Sequence, residues 1–174
     1  MDNFSLEREK LLQTWQWLET DAALNGIDRY ELSERGEVLL GPCCSATHRS
    51  LCANLALQIS SQLGGTTGRN VAVVTPTYGI RVPEIIWMPA SRWAHVDSTS
   101  PLPWVPDVCV EVMSAATLPQ EKERKIRAYL QGGAREVIVV GWRGQVDFRG
   151  QEGRRNESSL GLRLVLDASL FVCG

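Results

Sequence analysis

The sequence predicts an α/β protein: a mixed β-sheet flanked by helices, preceded by an N-terminal helix and a β-hairpin. Three observations carry that expectation. Leu51, Leu55, Ile59 and Leu63 recur every fourth residue, the spacing of a helix with one apolar face. Three Val/Ile-rich runs follow at 71–75, 80–88 and 105–113, each bounded by turn-forming residues. A second helical stretch, 119–131, then leads to the wholly apolar V-I-V-V-G at 137–141. A helix between two strands is the connection that a parallel pair requires. The predicted core order is therefore helix, three strands, helix, strand.

The elements follow in chain order. Ser5 is placed to cap a helix carrying Leu6, Leu11, Leu12, Trp15 and Leu18, ending near Leu24-Asn25-Gly26. Tyr30-Glu31-Leu32 and Glu37 to Leu40, separated by S-E-R-G, read as a hairpin. Gly41-Pro42 stops its second strand, and Gly64-Gly65 ends the helix over 46–63. Pro89 to Pro103 reads as a connection, and Pro119 suits the first turn of a helix closed by Gly132-Gly133. Gln145–Phe148 and Leu162–Leu166 suggest two late strands with a polar loop between them. No repeat or linker divides the 174 residues, so one domain is expected. Its parts are an N-terminal helix and hairpin at about 5–40, a core at about 45–141 and C-terminal strands at about 145–174.

Composition narrows the function classes. The 44% hydrophobic and 22% charged content is that of an ordinary globular chain. Uncharged runs are too short to span a bilayer, and the N-terminus lacks a signal-peptide pattern, so a cytoplasmic protein is expected. The net charge of −2 gives no global attraction to nucleic acid, yet residues 122–163 carry ten Lys/Arg against five acids. That local excess is compatible with phosphate contact, and equally with an ordinary solvated surface. Six tryptophans offer a base-stacking platform, although core packing is the more usual use of such large side chains. Five cysteines without a C-x-x-C pair argue against a disulfide framework. Cys44, His48 and Cys52 would share one helix face, where neighbouring pairs could hold zinc. The outer two lie about 12 Å apart along the axis, so small buried thiols are the preferred reading.

The residue that stands out is Glu111, set between Val110 and Val112 in an apolar run. Alternation places Asp107, Cys109, Glu111 and Met113 on one face and Val108, Val110 and Val112 on the other, core-facing side. An unpaired buried charge is too costly to persist. Glu111 therefore requires either an arginine partner or a metal ion. Glu84 sits in the preceding run, again among apolar residues, and acids on adjacent strands meet across about 5 Å. Asp107 is about 13 Å from Glu111 along the strand, too far to share an ion.

R-V-P-E-I-I-W, P-D-V-C-V-E-V-M-S and K-I-R-A-Y-L-Q-G-G-A-R-E-V-I-V-V resemble the Uma-two-type restriction endonucleases, a branch of the PD-(D/E)XK nuclease superfamily. Y-E-L-S-E-R-G-E-V and S-A-T-H resemble that family's opening hairpin and first core helix, so the likeness covers about residues 10–150. It implies a restriction endonuclease-like αβββαβ core. It further implies that Glu84 and Glu111 hold Mg²⁺ or Mn²⁺ and that Lys125 completes the catalytic set. Met113 stands in the superfamily's usual lysine place, and the family's lysine resembles one moved to the helix, four residues before a tyrosine, here Tyr129. Lys122, one turn earlier, is a candidate substitute, with a solvated surface lysine the preferred reading. Glu37 and His48 align with polar positions near the family's site as second-tier candidates beside Tyr129, with a core or capping role the preferred reading of His48.

The resemblance thus implies a metal-dependent endonuclease hydrolysing phosphodiester bonds of DNA; a homodimer is kept as a candidate assembly, which the sequence does not decide. Glu84 departs from the family's usual Asp. One extra methylene moves the carboxylate by about 1 Å, a shift that can cost on the order of a hundredfold in rate. The alternative is an inactive nuclease fold that binds nucleic acid or a protein.

Overall fold

The computed structural model describes residues 3–24, 26–27, 29–41, 45–97 and 99–171. The chain opens with α1 (Asn3–Leu18) and a single 3-10 turn at Ala22–Leu24. Ser5 lies inside α1 rather than capping it, and the helix stops well before Leu24. Polar Glu19-Thr20-Asp21 interrupts the apolar stripe, and the Asp21 carboxylate accepts the Ala23 N–H to start the 3-10 turn. The hairpin is β1 (Tyr30–Leu32) with β2 (Val38–Leu40), paired Tyr30↔Leu40 to Leu32↔Val38. Next comes α2 (Ala46–Leu63), its first turn capped by the Ser45 hydroxyl, which accepts the His48 N–H. Leu51, Leu55 and Ile59 are buried, as the four-residue repeat required.

After α2 the chain forms β3 (Thr66–Arg69), β4 (Val73–Val74), β5 (Ile80–Arg81) and β6 (Ile85–Met88). It continues through α3 (Ala90–Trp93), β7 (Val108–Val112), α4 (Pro119–Gln131) and β8 (Glu136–Val140). It closes with β9 (Val146–Gly150), β10 (Gly153–Arg155) and a 3-10 turn at Ala168–Phe171. Gly65 makes the reversal into β3 feasible: its φ is +67°, and a Cβ there would stand 2.7 Å from the Met88 carbonyl oxygen.

Several boundaries differ from the sequence expectation. The run 71–75 contributes only β4. The first strand of the main sheet is instead β3, T-T-G-R, which has no apolar pattern and is placed by pairing with β6 from Thr66↔Met88 to Arg69↔Ile85. The run 80–88 breaks at Val82-Pro83-Glu84, where proline has no N–H for a ladder. Residues 162–166 form no strand. Gln58 and Gln62 on α2 bond the backbone of Val165 and Arg163 through their amides, replacing ladder bonds. The polar loop after β9 contains β10, paired Gly150↔Gly153. The connection after Pro89 holds α3.

Two sheets result, ordered β2-β1-β5-β4 and β10-β9-β8-β7-β6-β3. In the larger one β7 and β8 run parallel across α4 and the other neighbours are antiparallel, giving the αβββαβ order. α2 packs on the face carrying Ile85, Trp87, Val108, Val110, Ile138 and Val140. Ile126 and Tyr129 of α4 pack on the other face with Ile86, Met88, Cys109, Val137 and Val139. Both faces are therefore interior, and Glu111, on the α4 face, is 3% exposed. Trp15 and Trp87 are core residues, whereas Trp17 and Trp142 are exposed. No described helix is long and apolar enough to cross a membrane.

Candidate active site

β6 and β7 pair Ile85↔Val110, and one step further toward the Pro83 break the same register sets Glu84 opposite Glu111. Pro83 leaves Glu84 just outside the ladder, so its carboxylate stands at the sheet margin while Glu111 lies within. β1 pairs with β5 at Leu32↔Ile80, which carries Arg29 and Glu31 to the same place from the smaller sheet. α4 adds Lys125 and Tyr129, four residues apart and so on one helix face.

The contacts form one network. Arg29 Nη1 donates to Glu84 Oε1, and its Nη2 lies 3.4 Å from Glu31 Oε1 and 3.8 Å from Glu111 Oε2. Lys125 Nζ is 2.9 Å from Glu31 Oε1 and 3.3 Å from Glu111 Oε2. Tyr129 donates its hydroxyl to Glu111 Oε1 at 2.7 Å. Glu31 also accepts from Arg81 Nη1 at 3.0 Å and from the Val82 N–H at 2.9 Å. Three carboxylates thus face three cations, which is what lets so many charges be buried together. On its far side Glu84 Oε2 is 3.0 Å from His48 Nε2.

The titrations follow from this layout. Burial alone would raise the Glu31 carboxyl, but Lys125, Arg29 and Arg81 outweigh it and hold it at about 2. Burial also opposes ionisation of Glu84, where the His48 hydrogen bond and Arg29 prevail and lower its carboxyl. At Glu111 burial wins over Lys125 and Arg29, and its carboxyl is raised. The Tyr129 hydroxyl is pushed well up by burial and then by Glu111. Burial disfavours the Arg29 cation, yet Glu111, Glu84 and Glu31 together raise its value.

Glu84, Glu111, Lys125 and Tyr129 are brought together, and His48 reaches the outer oxygen of Glu84. Glu37 is not part of the group. It is exposed in the hairpin and accepts the Ser33 hydroxyl at 3.0 Å, because β2 is the sheet edge away from β5. Met113 packs in the α4-side core. Lys122 is partly exposed and lies 4.0 Å from Glu123 rather than near the carboxylates. Asp107 binds Arg92 at the start of β7. Cys44 lies outside the described residues.

Sequence reasoning missed Arg29, Glu31 and Arg81. Arg81, flanked by Ile80 and Val82 and wholly buried, carried the same signal as Glu111. Arg29 and Glu31 carried a fainter one, opposite charges two residues apart at the start of β1. Of the basic run 122–163, Arg149, Arg154 and Arg155 are taken up by Glu123, Asp147 and Glu152.

Glu84 and Glu111 offer hard carboxylate oxygens, the donors that Mg²⁺ and Mn²⁺ take, and a single cationic group already touches both. The donor set therefore fits such an ion in kind. Arg29 is the group that would have to turn aside, and its buried Nε has no hydrogen-bond partner among the described residues.

Residues 15–159 match the family described as Uma2, "Putative restriction endonuclease". Among solved structures, the chain is similar to a "putative nuclease belonging to DUF820" from Anabaena variabilis, with a TM-score of 0.69 and 16% identity. That likeness covers 91% of this chain and 96% of the other, and at this identity it speaks for the fold. No curated protein matches the chain.

Proposed function

The chain belongs to the Uma2 restriction endonuclease family, and we propose that it is a Mg²⁺- or Mn²⁺-dependent endonuclease acting on DNA. The observation that carries the reading is the meeting of Glu84, just before β6, with Glu111 of β7 and Lys125 of α4, the two acids joined through Arg29. Glu84 and Glu111 would hold the ion, whose chemistry is to polarise the scissile phosphate and lower the pKa of bound water. Lys125 holds Glu111 and Glu31 in place and would stabilise charge growing on the phosphate. Tyr129 fixes the Glu111 carboxylate by its hydrogen bond and acts as a positioning residue. Phosphate binding draws on the exposed members of the basic run, Arg127 and Arg143 among them.

Arg29 favours a second reading. A guanidinium seated between both carboxylates neutralises them without any ion, as expected of a nuclease fold retained for binding. Titration of Mn²⁺ into wild type and Glu111→Gln, read by calorimetry alongside plasmid nicking, separates the two. Binding and nicking that both disappear with Glu111 support the endonuclease. A protein that binds DNA but takes up no Mn²⁺ supports the binding module.

A further inference from the structure

Glu84 has two oxygens facing two different environments. Oε1 is committed to Arg29, while Oε2 faces a pair of side chains from α2 that the nuclease reading does not use. His48 and Cys52 stand four residues apart, one turn along the same helix face. His48 Nε2 is 3.0 Å from Glu84 Oε2 and 3.5 Å from Cys52 Sγ, and Cys52 Sγ is 3.9 Å from Glu84 Oε2. These are one nitrogen, one sulfur and one oxygen in a compact triangle.

A tetrahedral zinc ion sets its ligands at about 2.0–2.3 Å, which spaces them about 3.3–3.6 Å apart. Each side of the triangle is within about half an ångström of that spacing. The mix of donors selects among metals. Mg²⁺ and Ca²⁺ take oxygen shells, whereas thiolate with imidazole suits Zn²⁺ and its borderline-soft relatives. Cys52 is 1% exposed and Glu84 5%, so their donor atoms are held in place by the core. The His48 side chain is 24% exposed, which opens the fourth position to water.

We propose that His48, Cys52 and Glu84 form a binding site for Zn²⁺, distinct from the Glu84–Glu111 pair and sharing with it one carboxylate. Coordination replaces the Cys52 thiol proton and leaves His48 Nε2 as a lone-pair donor, so uptake releases a proton and tightens as pH rises. Sequence spacing pointed to Cys44 and Cys52 flanking His48. The fold supplies Glu84 from the bend before β6 instead, which removes the objection that the two thiols are too far apart to share one ion.

The test is titration of the full-length chain with Co²⁺, followed by thiolate-to-cobalt charge-transfer absorption, with Zn²⁺ as competitor. One equivalent per chain, displaced by Zn²⁺, is expected. The band should vanish in Cys52→Ser, weaken at least about tenfold in affinity in His48→Asn, and persist in Glu111→Gln. Persistence in Glu111→Gln separates this site from the carboxylate pair, so the proposal stands or falls apart from the nuclease reading. Absence of the band in wild type overturns it, as does a full band in Cys52→Ser arising from the other cysteines. Melting temperatures check the variants, and if Cys52→Ser does not fold, unchanged cobalt affinity in His48→Asn overturns the proposal by itself.

Discussion

Glu111 and Glu136 are both buried, on neighbouring parallel strands, yet they are used in opposite ways. Glu136 opens β8 and is fully buried. It accepts from Ser158 Oγ at 2.6 Å, from the Ser159 N–H at 2.6 Å and from Ser159 Oγ at 2.9 Å, with Arg155 Nη1 at 3.6 Å. All these partners come from one segment, so the carboxylate pins the stretch after β10 onto the sheet. Glu111 lies on the other face. Its partners, Arg29, Lys125 and Tyr129, come from two separate parts of the chain, and two further carboxylates crowd the same cations. Burial of an acid is therefore no mark of a site. The mark is a set of charged partners, drawn from distant elements, that the acid shares with others.

The largest expected effect that tests this contrast comes from Arg29→Ala. It leaves three carboxylates facing two cations, and an uncompensated buried charge costs about 3–5 kcal/mol. In chelator the melting temperature should fall by roughly 6–20 °C at about 2–4 °C per kcal/mol, with Mn²⁺ restoring part of the loss. An unchanged melting temperature would remove Arg29 from the charge balance.

Next comes a direct exchange of roles. Glu111→Gln should lower metal-dependent nicking by about 10²–10³-fold, while Glu136→Gln keeps the activity of the folded fraction and loses about 1–3 kcal/mol of stability. Equal losses of activity in the two variants, measured on folded protein, would erase the distinction.

The third concerns acid. The Glu31 carboxyl sits at about 2 in the fold against an ordinary 4.5, so its stabilising share is complete above pH 4.5. That share is lost as pH falls from 4.5 toward 2. Glu111 works in the opposite sense: raised by burial, it favours the fold below pH 4.5 and loses that share as pH rises through its higher value. Urea midpoints of wild type and Glu31→Gln across this range should converge as pH falls. Parallel curves would show that Glu31 is not held by its cations.

The smallest expected effect is that of Tyr129→Phe, which removes one hydrogen bond to a carboxylate, about 1.5 kcal/mol. The Glu111 carboxyl should rise further, moving the acid limb of the pH–rate profile upward without loss of fold. An unmoved limb would reduce Tyr129 to packing.

The sequence by itself determined those elements whose signal is local and periodic. The repeat Leu51-Leu55-Ile59-Leu63 specified α2, Pro119 and Gly132 bounded α4, and the apolar runs gave β7 and β8. Glu84, Glu111 and Lys125 were legible for a related reason: an acid inside an apolar run contradicts its surroundings, and the motif around it resembled a known one. Tertiary structure alone decided the rest. β3 is a strand because β6 offers it a ladder, not because T-T-G-R has a pattern. The 80–88 run is two strands because Pro83 breaks the ladder and each half finds a different sheet. Arg29 and Glu31 resemble solvated hairpin residues until β1 pairs with β5 and sets them against Glu84 and Lys125. Hydrophobic burial leaves a period in the sequence because it acts on one face of one element. Charge pairing acts through space between elements far apart in the chain, and leaves none.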